Sequence, residues 1–375
     1  MEDLLITGGK LLDEKSGYKY DKKDILIKNG FIKKIDDNLE NEGVLNKIDL
    51  TGYIISPGFI DIHTHVYCKR TVLGIEPDIV GLSTGTTTIF DAGSSGPENF
   101  DDFYENIISK SNTNVYSLLN IARKGLENPR YELADLGNID LDKVKEIYFQ
   151  NKAYIKGIKA RASASTVGSL GIKPIEMAKK VASELNIPLV VHIGNAPPKI
   201  YDVLSLLEKG DVVTHTFHGK PNGILDKKGN IRKSFIKAKD RGVLFDVGHG
   251  TSSFSFNTAR KSIESGMKPD IISTDIYSNN YKGPVYSLET TINKMLILGM
   301  NVEECINCVT YIPSCNFSLE KIGMLRERYI GDLTIFKVVE EEKEYIDSEG
   351  VIERAKSNID IKYVVKNGKI QEILK

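Results

Sequence analysis

The sequence has few of the features that define several protein classes. It contains no tryptophan and only four cysteines among 375 residues. Four cysteines in a chain of this length do not make the disulfide framework of a small secreted protein. No apolar run approaches the roughly 18 residues of a membrane-spanning helix, and the acidic start MEDLL is unlike a signal peptide. These absences predict a cytoplasmic protein with no membrane partner.

An excess of charge of either sign is also missing. The 50 lysines and arginines balance 51 aspartates and glutamates, so the net charge is -1. This balance gives no electrostatic reason to expect nucleic acid or an anionic membrane as a partner. Because 41% of the residues are hydrophobic, the chain can bury a substantial core. We therefore expect a globular protein, and a homo-oligomer is left open.

Two of the cysteines, Cys305 and Cys308, lie in the stretch NVEECINCVT, which predicts a helix. At this spacing both side chains lie on one face of the helix. A structural zinc site would need a fourth ligand nearby, and no histidine follows at zinc-finger spacing. We interpret both cysteines as small core residues rather than as metal or redox groups.

The two ends of the chain resemble each other. LLITGGKLLD and KKDILIKNGFIKKID alternate apolar and polar residues around Gly or Asn-Gly turns, a pattern typical of antiparallel hairpins. GDLTIFKVVE and IKYVVKNGKIQEIL repeat this pattern near the C-terminus, where the acidic run EEEKE at 340–344 predicts a solvated hairpin tip. We expect residues 1–54 and 330–375 to complete one small β-sandwich beside a central domain of residues 55–329.

The central domain alternates strand and helix patterns. Its strand-like runs are too continuously apolar to have one wet face, which indicates a parallel sheet covered on both sides. Eight such units in roughly 220 residues favour a closed barrel over an open sheet. The predicted fold class is therefore α/β, a (β/α)8 TIM-like barrel with a small composite β-sandwich. The eight strands are predicted at 59–65, 86–93, 115–122, 154–160, 188–194, 211–217, 243–248 and 270–276.

Residues suited to metal binding follow these predicted strands. In such a barrel the carboxyl ends of the strands meet at one face, where active sites lie. Imidazole nitrogen and carboxylate oxygen suit zinc and tolerate manganese, iron or nickel. Five of the six histidines lie at these ends, and the sequence therefore predicts a metal site there. The residues are, in strand order, His63 and His65, Lys159, His192, His215, His249 and Asp275.

The stretch Pro57-Gly-Phe-Ile-Asp-Ile-His-Thr-His65, with the ordered downstream His, His and Asp, resembles the amidohydrolase superfamily. Members of that superfamily carry a His-x-His on strand one. The similarity covers nearly the full chain, including the terminal hairpins. It implies a metal-dependent hydrolase that acts on an amide or ester bond of a small-molecule substrate.

Lys159 determines the subtype that the resemblance implies. In similar binuclear members, the strand-four lysine reacts with carbon dioxide and its carbamate bridges two metals. The stretch Gly157-Ile-Lys-Ala-Arg161 is similar to that position. Lys156 is a rival, but its odd offset from Lys159 turns it to the opposite side of the strand. The other alternative is that Lys159 is a surface lysine at a strand end, with no role in metal binding.

By the same resemblance, His63, His65 and Asp275 hold one metal ion, and His192 and His215 hold the second. Lys159, carboxylated by carbon dioxide, bridges the two divalent ions, with zinc as the favoured metal. A metal-bridging hydroxide attacks the carbonyl, and Asp275 acts as general base. Asp275 then passes the proton to the leaving group.

The substrate depends on which branch the chain resembles. Dihydroorotases, the alternative as cyclic amidohydrolases, carry an Arg two residues after the second strand-one His, where this chain has Tyr67. The stretches GIKARASAS and FDVGHGTSSFSF are more similar to a deacetylase-like branch. That branch removes acyl groups, typically acetyl, from small carboxylate-bearing molecules. His249 is then expected to donate a hydrogen bond to the substrate, and Arg161 to support its carboxylate or the carbamate.

Two other classes remain as alternatives. A non-catalytic scaffold on the same barrel would show gaps among the metal-suited positions, and this sequence shows none. A deaminase would normally use one metal and a strand-five Glu, whereas predicted strand five ends in His192-Ile-Gly. Both patterns therefore favour the hydrolase.

Overall fold

The structure, a computed structural model, describes residues 3–39 and 43–374. Within those residues the chain forms three sheets and a set of α-helices, with short 3-10 helices between them. The strands are β1 (Leu4–Thr7), β2 (Lys10–Asp13), β3 (Tyr18–Lys22), β4 (Asp24–Lys28), β5 (Phe31–Asp36), β6 (Lys47–Asp49), β7 (Ile54–Pro57), β8 (Phe59–Thr64), β9 (Thr86–Asp91), β10 (Asn114–Asn120), β11 (Ile155–Ala162), β12 (Leu189–Ile193), β13 (Val212–Thr214), β14 (Leu244–Phe245), β15 (Leu333–Ile346), β16 (Ile352–Lys366) and β17 (Lys369–Glu372).

The helices lie mainly between the central strands. The α-helices are α1 (Pro77–Val80), α2 (Phe100–Asn106), α3 (Leu141–Gln150), α4 (Ala164–Val167), α5 (Lys173–Leu185), α6 (Ile200–Leu206), α7 (Lys233–Asp240), α8 (Phe256–Glu264), α9 (Leu288–Ile297), α10 (Val302–Cys308) and α11 (Tyr311–Asn316). None of these helices is both long and apolar enough to cross a membrane. Cys305 and Cys308 are both buried on α10, where burial raises the pKa of each thiol.

The central sheet confirms the barrel. Strands β8 to β14 pair in parallel and in chain order. The eighth predicted strand, 270–276, is not a continuous strand, but single bridges join Ile271 to Asp246 and Ile276 to Thr64, so the circle closes. Two local causes interrupt it. The N–H of Thr274 donates to the Asp61 carboxylate instead of to a backbone carbonyl of a neighbouring strand. Asp275 adopts a φ of 50°, which is outside the extended conformation of a strand.

Local sequence explains why these elements form. Every residue of β8 and β9 is buried, as expected of strands covered on both faces. Helix α5 begins with a proline in its first turn and ends at Asn186, which takes a left-handed φ of 53°. Its apolar residues recur every three or four positions, so one face of the helix packs on the barrel. Those buried positions include Ile175, Ala178 and Val181.

Both chain termini contribute to the sheets outside the barrel. The larger of them has the order β17-β16-β15-β7-β2-β3, and the smaller has the order β5-β4-β1-β6. Residues of both sheets share one apolar core, which includes Leu4, Ile27, Ile55, Leu333 and Val365. The termini therefore build a composite β-structure. The domain limits 1–54, 55–329 and 330–375 stay a prediction.

The hairpin of β15 and β16 reaches from this β-structure to the barrel. The acidic run 340–344 lies within β15, so the tip is the next turn and not that run. The run itself is exposed, as predicted, whereas Asp347 in the turn is only 2% exposed. Its carboxylate accepts from the N–H of Phe256 at 2.9 Å, and the Ser348 hydroxyl donates to the carbonyl of Gly250 at 3.1 Å. The tip thus holds the loop that follows β14.

Candidate metal centre

Three side chains from distant parts of the sequence converge at the C-terminal face of the barrel. His63 lies on β8, His65 follows that strand, and Asp275 lies in the interrupted eighth strand. Oδ1 of Asp275 is 3.1 Å from Nε2 of His65 and 3.4 Å from Nε2 of His63. Ligand atoms of the three residues all lie within 4.8 Å of one another, so one metal ion can contact all of them. We call these residues the His–His–Asp group.

A second pair of histidines lies beside this group. His192 is on β12 and His215 directly follows β13, and their ring centroids are 4.3 Å apart. Nε2 of His215 is 3.9 Å from Oδ2 of Asp275. This nitrogen is fully buried and has no hydrogen-bond partner. A buried imidazole nitrogen without a hydrogen-bond partner has a lone pair available for a metal ion. We call His192 and His215 the histidine pair.

The ring of His63 is oriented by a chain of hydrogen bonds. Its Nδ1 lies 2.9 Å from Oγ1 of Thr214, which donates to Oδ2 of Asp246 at 2.6 Å. The hydroxyl of Ser273 donates to the same oxygen at 2.7 Å. Because Nδ1 is taken, Nε2 is the nitrogen that faces Asp275. Metal-binding histidines are commonly held in this way by a polar group on the far nitrogen.

His65 and His215 are held similarly. Nδ1 of His65 lies 3.0 Å from Oγ of Ser94, whose backbone N–H donates to the buried Asp91 carboxylate at 2.7 Å. Nδ1 of His215 donates to the carbonyl of Gly248 at 2.6 Å. For His192, the described part of the chain offers no hydrogen-bond partner. The histidines of the group are therefore more completely oriented than the pair.

The electrostatics favour ligands with free lone pairs. Burial lowers the pKa of His63 and His192 well below the usual value, and lowers that of His215 to about 4. Burial alone would raise the pKa of Asp275, but the His65 hydrogen bond and the charges of His215 and Lys159 hold it below its ordinary value. At neutral pH these three imidazoles are thus neutral, and Asp275 is a carboxylate. This donor set fits divalent cations such as zinc.

Lys159 lies between the His–His–Asp group and the histidine pair. It is only 1% exposed, and its Nζ is 3.1 Å from Nε2 of His63. Burial lowers the pKa of its ammonium to about 7, although the Asp275 carboxylate opposes the shift. Its rival Lys156 is half-buried elsewhere, with Nζ 5.3 Å from the ring centroid of Tyr116. Only Lys159 therefore lies among the metal-suited residues.

A cavity of about 250 Å³ opens above these residues. Its lining is mostly polar and comes from the C-terminal ends of the barrel strands and from the loops that follow them. Arg161 lies on the wall, where its Nε is 2.9 Å from the buried Glu132 carboxylate and its Nη2 donates to the carbonyl of Pro129. The lining residues are His63, His65, Leu73, Lys159, Arg161, Ser163, Ser165, His192, Asn195, Lys220, Thr251, Ser252, Ser253, Asp275 and Tyr277.

His249 is not on that wall. Its Nδ1 donates to the carbonyl of Gly250 at 2.8 Å, and its Nε2 accepts from Nζ of Lys294 at 2.7 Å. The ring stacks on Phe254 with centroids 4.8 Å apart. Both nitrogens are thus engaged within the protein. The role of His249 as a donor to substrate stays a prediction, as does the substrate contact of Arg161.

Several polar residues around the site were missed from the sequence. Asp91 and Asp246 lie near the ends of predicted strands two and seven. The search for polar residues at strand ends, which found the histidines, could therefore have found them too. Asp61 is two residues before His63 and so lies on the same face of β8. Nothing in the sequence singled out Lys220, because it lies in a long loop whose path depends on the tertiary structure.

Comparison with known proteins identifies the family. The model of the amidohydrolase family matches residues 54–371, most of the chain. This protein belongs to the amidohydrolase family. A relative from Enterococcus faecalis described as a deacetylase is 43% identical over 311 residues, covering 82% of this chain and 84% of its own. The predicted class, a metal-dependent hydrolase of amide bonds, is confirmed at the level of the family.

Two solved structures are similar over nearly the whole chain. One, described as an adenine deaminase, is 39% identical with a TM-score of 0.94, and covers 99% of this chain and 100% of its own. The other, described as a dihydroorotase, is 33% identical with a TM-score of 0.92, and covers 99% and 98%. The predicted fold is thereby confirmed. These relatives are described with three different activities. The activity of this chain therefore has to be inferred from the residues of its own site.

Proposed function

We propose that this amidohydrolase is a binuclear metal-dependent deacetylase that hydrolyses the acetyl amide or ester of a small carboxylate-bearing molecule. The observation that carries the proposal is the convergence of the His–His–Asp group, the histidine pair and Lys159 at one end of a small polar cavity. The relative described as a deacetylase supports acetyl as the group that is removed.

The residues divide into two ligand sets. The His–His–Asp group would hold one divalent cation and the histidine pair the other, with zinc favoured by the imidazole donors. Cations bound there would lower the pKa of a water molecule and polarise the scissile carbonyl. The unpartnered Nε2 of His215 supports its assignment as a ligand.

Lys159 would complete the site as a carbamate. An amine reacts with carbon dioxide only in its neutral form, and burial favours that form here. The Nζ lone pair forms a bond to the carbon of carbon dioxide, and Nζ loses a proton. The product is an anion that would offset the positive charge of two cations held mostly by neutral imidazoles.

Asp275 is the proposed general base. Its carboxylate is ionised at neutral pH, and it faces the cavity beside both histidine sets. It accepts the proton of the attacking water as the new C–O bond forms at the acetyl carbon. It then gives this proton to the leaving nitrogen or oxygen as the acyl bond breaks. The products are acetate and an amine or alcohol.

Two features argue against the other activities. The side chain of Tyr67, at the position where dihydroorotases carry Arg, is 1% exposed and donates to Asp102 at 2.5 Å, away from the cavity. No cation for the dihydroorotate carboxylate stands there. Strand β12 ends in His192-Ile193 and offers no Glu of the kind that a deaminase would use on this strand. Hydrolysis of an acetylated acid therefore fits these residues better.

A substrate panel tests the proposal. Protein purified without chelator is analysed for metal and then incubated with N-acetyl amino acids, O-acetyl 2-hydroxy acids, dihydroorotate and adenine. We expect close to two metal equivalents and acetate release from acetylated acids only. Ammonia from adenine, ring opening of dihydroorotate without acetate release, or a protein that takes up no zinc or manganese would contradict the proposal. A cytoplasmic location remains a prediction, and the oligomeric state remains open.

A further inference from the structure

Three basic side chains line the cavity, namely Lys159, Arg161 and Lys220. Their surroundings differ. Lys159 is buried against His63, and Arg161 is paired with Glu132, a carboxylate only 3% exposed. Arg161 thus already has protein partners, Glu132 at its Nε and the carbonyl of Pro129 at its Nη2, although burial raises the pKa of the Glu132 carboxyl to about 7. A substrate anion gains less from a cation that has a buried counterion at 2.9 Å.

Lys220 has no such counterion. In residues 3–39 and 43–374, no carboxylate lies within ion-pair distance of its Nζ, and the nitrogen makes no hydrogen bond. The side chain is half-buried, so part of its hydration is lost. A half-buried ammonium without a partner in a cavity wall is suited to bind an anion that enters the cavity.

The backbone holds Lys220 in place. Its N–H donates to Nδ1 of His218 at 3.1 Å, and His218 is itself buried. The preceding residue, Gly219, lies so close to the Glu349 carboxylate that a Cβ there would overlap it. The tip of the β15–β16 hairpin therefore supports the loop that presents Lys220. A fixed backbone reduces the conformational entropy that anion binding costs.

We propose that Lys220 binds the carboxylate of the substrate and makes this enzyme selective for acetylated acids over their neutral analogues. This inference rests on the proposed deacetylase function and names the residue that determines its substrate class. A sphere with the volume of the cavity is about 8 Å across, so an acid bound at its wall lies close to the metal-suited residues. The carboxylate should therefore be near the scissile acyl bond, as in 2-acetamido and 2-acetoxy acids.

The test compares charged and neutral ligands. Zinc-loaded wild type, Lys220→Met, Lys220→Arg and Lys227→Met are titrated calorimetrically with N-acetylglycine and N-acetylglycinamide, the smallest matched pair. Lys227 is an exposed residue of the same loop that does not line the cavity, so Lys227→Met is the control. The same proteins are assayed with the acetylated acid found by the panel and with its primary amide.

We expect wild type to bind the acid about 10- to 100-fold more tightly than the amide, the range of one charge-assisted hydrogen bond. Lys220→Met should lose this preference and raise KM for the acid with little change in kcat. Lys220→Arg should retain most of the preference, and Lys227→Met all of it.

An equal affinity of wild type for both ligands, no detectable binding of the acid, or an unchanged preference in Lys220→Met would overturn the inference. A parallel loss for acid and amide, or a lower zinc content in Lys220→Met, would also overturn it, because it indicates a structural role. If wild type prefers the acid but releases no acetate from any compound, the proposed function fails while the anion subsite stands.

Discussion

The two ligand sets of the centre differ in how firmly the protein holds them. In the His–His–Asp group, the far nitrogens of His63 and His65 meet the hydroxyls of Thr214 and Ser94, and each hydroxyl residue hydrogen-bonds a buried carboxylate. In the histidine pair, His215 is held only by a backbone carbonyl, and His192 has no such contact in the described residues. The histidine rings of the His–His–Asp group are therefore already oriented by protein hydrogen bonds before any metal ion binds.

This difference predicts two unequal metal sites. A ligand set that is already oriented loses little conformational entropy when it binds an ion. The histidine pair has one oriented ring and no carboxylate of its own, so it depends on the charge that a modified Lys159 would supply. We expect the first equivalent of metal to enter the His–His–Asp group and the second to bind more weakly.

The largest effect is expected at Lys159, because it serves both sets. Lys159→Ala removes the anion that the two cations would share, so the variant should lose at least one metal equivalent and nearly all activity. Elemental analysis and turnover measure this directly. A short carboxylic acid added in excess should partly restore both by occupying the vacated position.

Lys156→Ala is the matched control on the same strand. Lys156 lies against Tyr116 and not in the centre, so this variant should keep its metal content. Two equivalents and normal turnover in Lys159→Ala would show that the bridge assignment is wrong.

His192→Asn tests the weaker set alone. It should retain one equivalent in the His–His–Asp group and lose the second, with turnover lower by about 100-fold or more, since one of the two cations no longer stabilises the transition state. Metal titration followed by calorimetry separates the two equivalents. If His192→Asn loses both equivalents together, the two sets are not independent and the comparison fails.

Thr214→Val tests how much orientation contributes. It preserves shape but removes the hydroxyl that links His63 to Asp246, and we expect metal affinity to fall about 10- to 100-fold. The control is Thr216→Val, because Thr216 is equally buried on the same segment but donates only to the carbonyl of Val213. Chelator competition measures both variants. Equal affinities in the two would mean that the hydrogen-bond chain does not orient the ligand.

The smallest effect is expected at the hairpin tip. The Ser348 hydroxyl donates to Gly250 and accepts from the N–H of Phe254, on either side of the cavity wall at 251–253. Ser348→Ala should lower the free energy of unfolding by about 1 kcal/mol and raise KM a few-fold, with both metal equivalents retained. Thermal unfolding and steady-state kinetics check this. A loss of metal would mean that the tip supports the ligands and not only the wall.

Periodicity carried most of the fold prediction. Strand β12 is buried at every position but His192, and its apolar run Leu189-Val-Val191 predicts this directly. The interruption of the eighth strand was harder to predict, because it depends on a side chain more than 200 residues away. The carboxylate of Asp61 accepts a hydrogen bond from the N–H of Thr274. The position of the hairpin tip was wrong for a similar reason. The acidic run 340–344 is exposed as predicted but belongs to β15, and the turn beyond it contacts the barrel, where the N–H of Phe256 donates to Asp347.

The sequence by itself determined the alternation of strands and helices, and with it which residues stand at the carboxyl ends of the strands. In a closed barrel that information suffices to bring His63, Lys159, His215 and Asp275 together, because all strand ends meet at one face. Only the tertiary structure decided which polar groups already have partners. Arg161 lies against Glu132, His249 accepts a hydrogen bond from Lys294, and Lys220 has no ion-pair partner among the described residues. Pairing depends on distances between loops, and no local pattern encodes those distances.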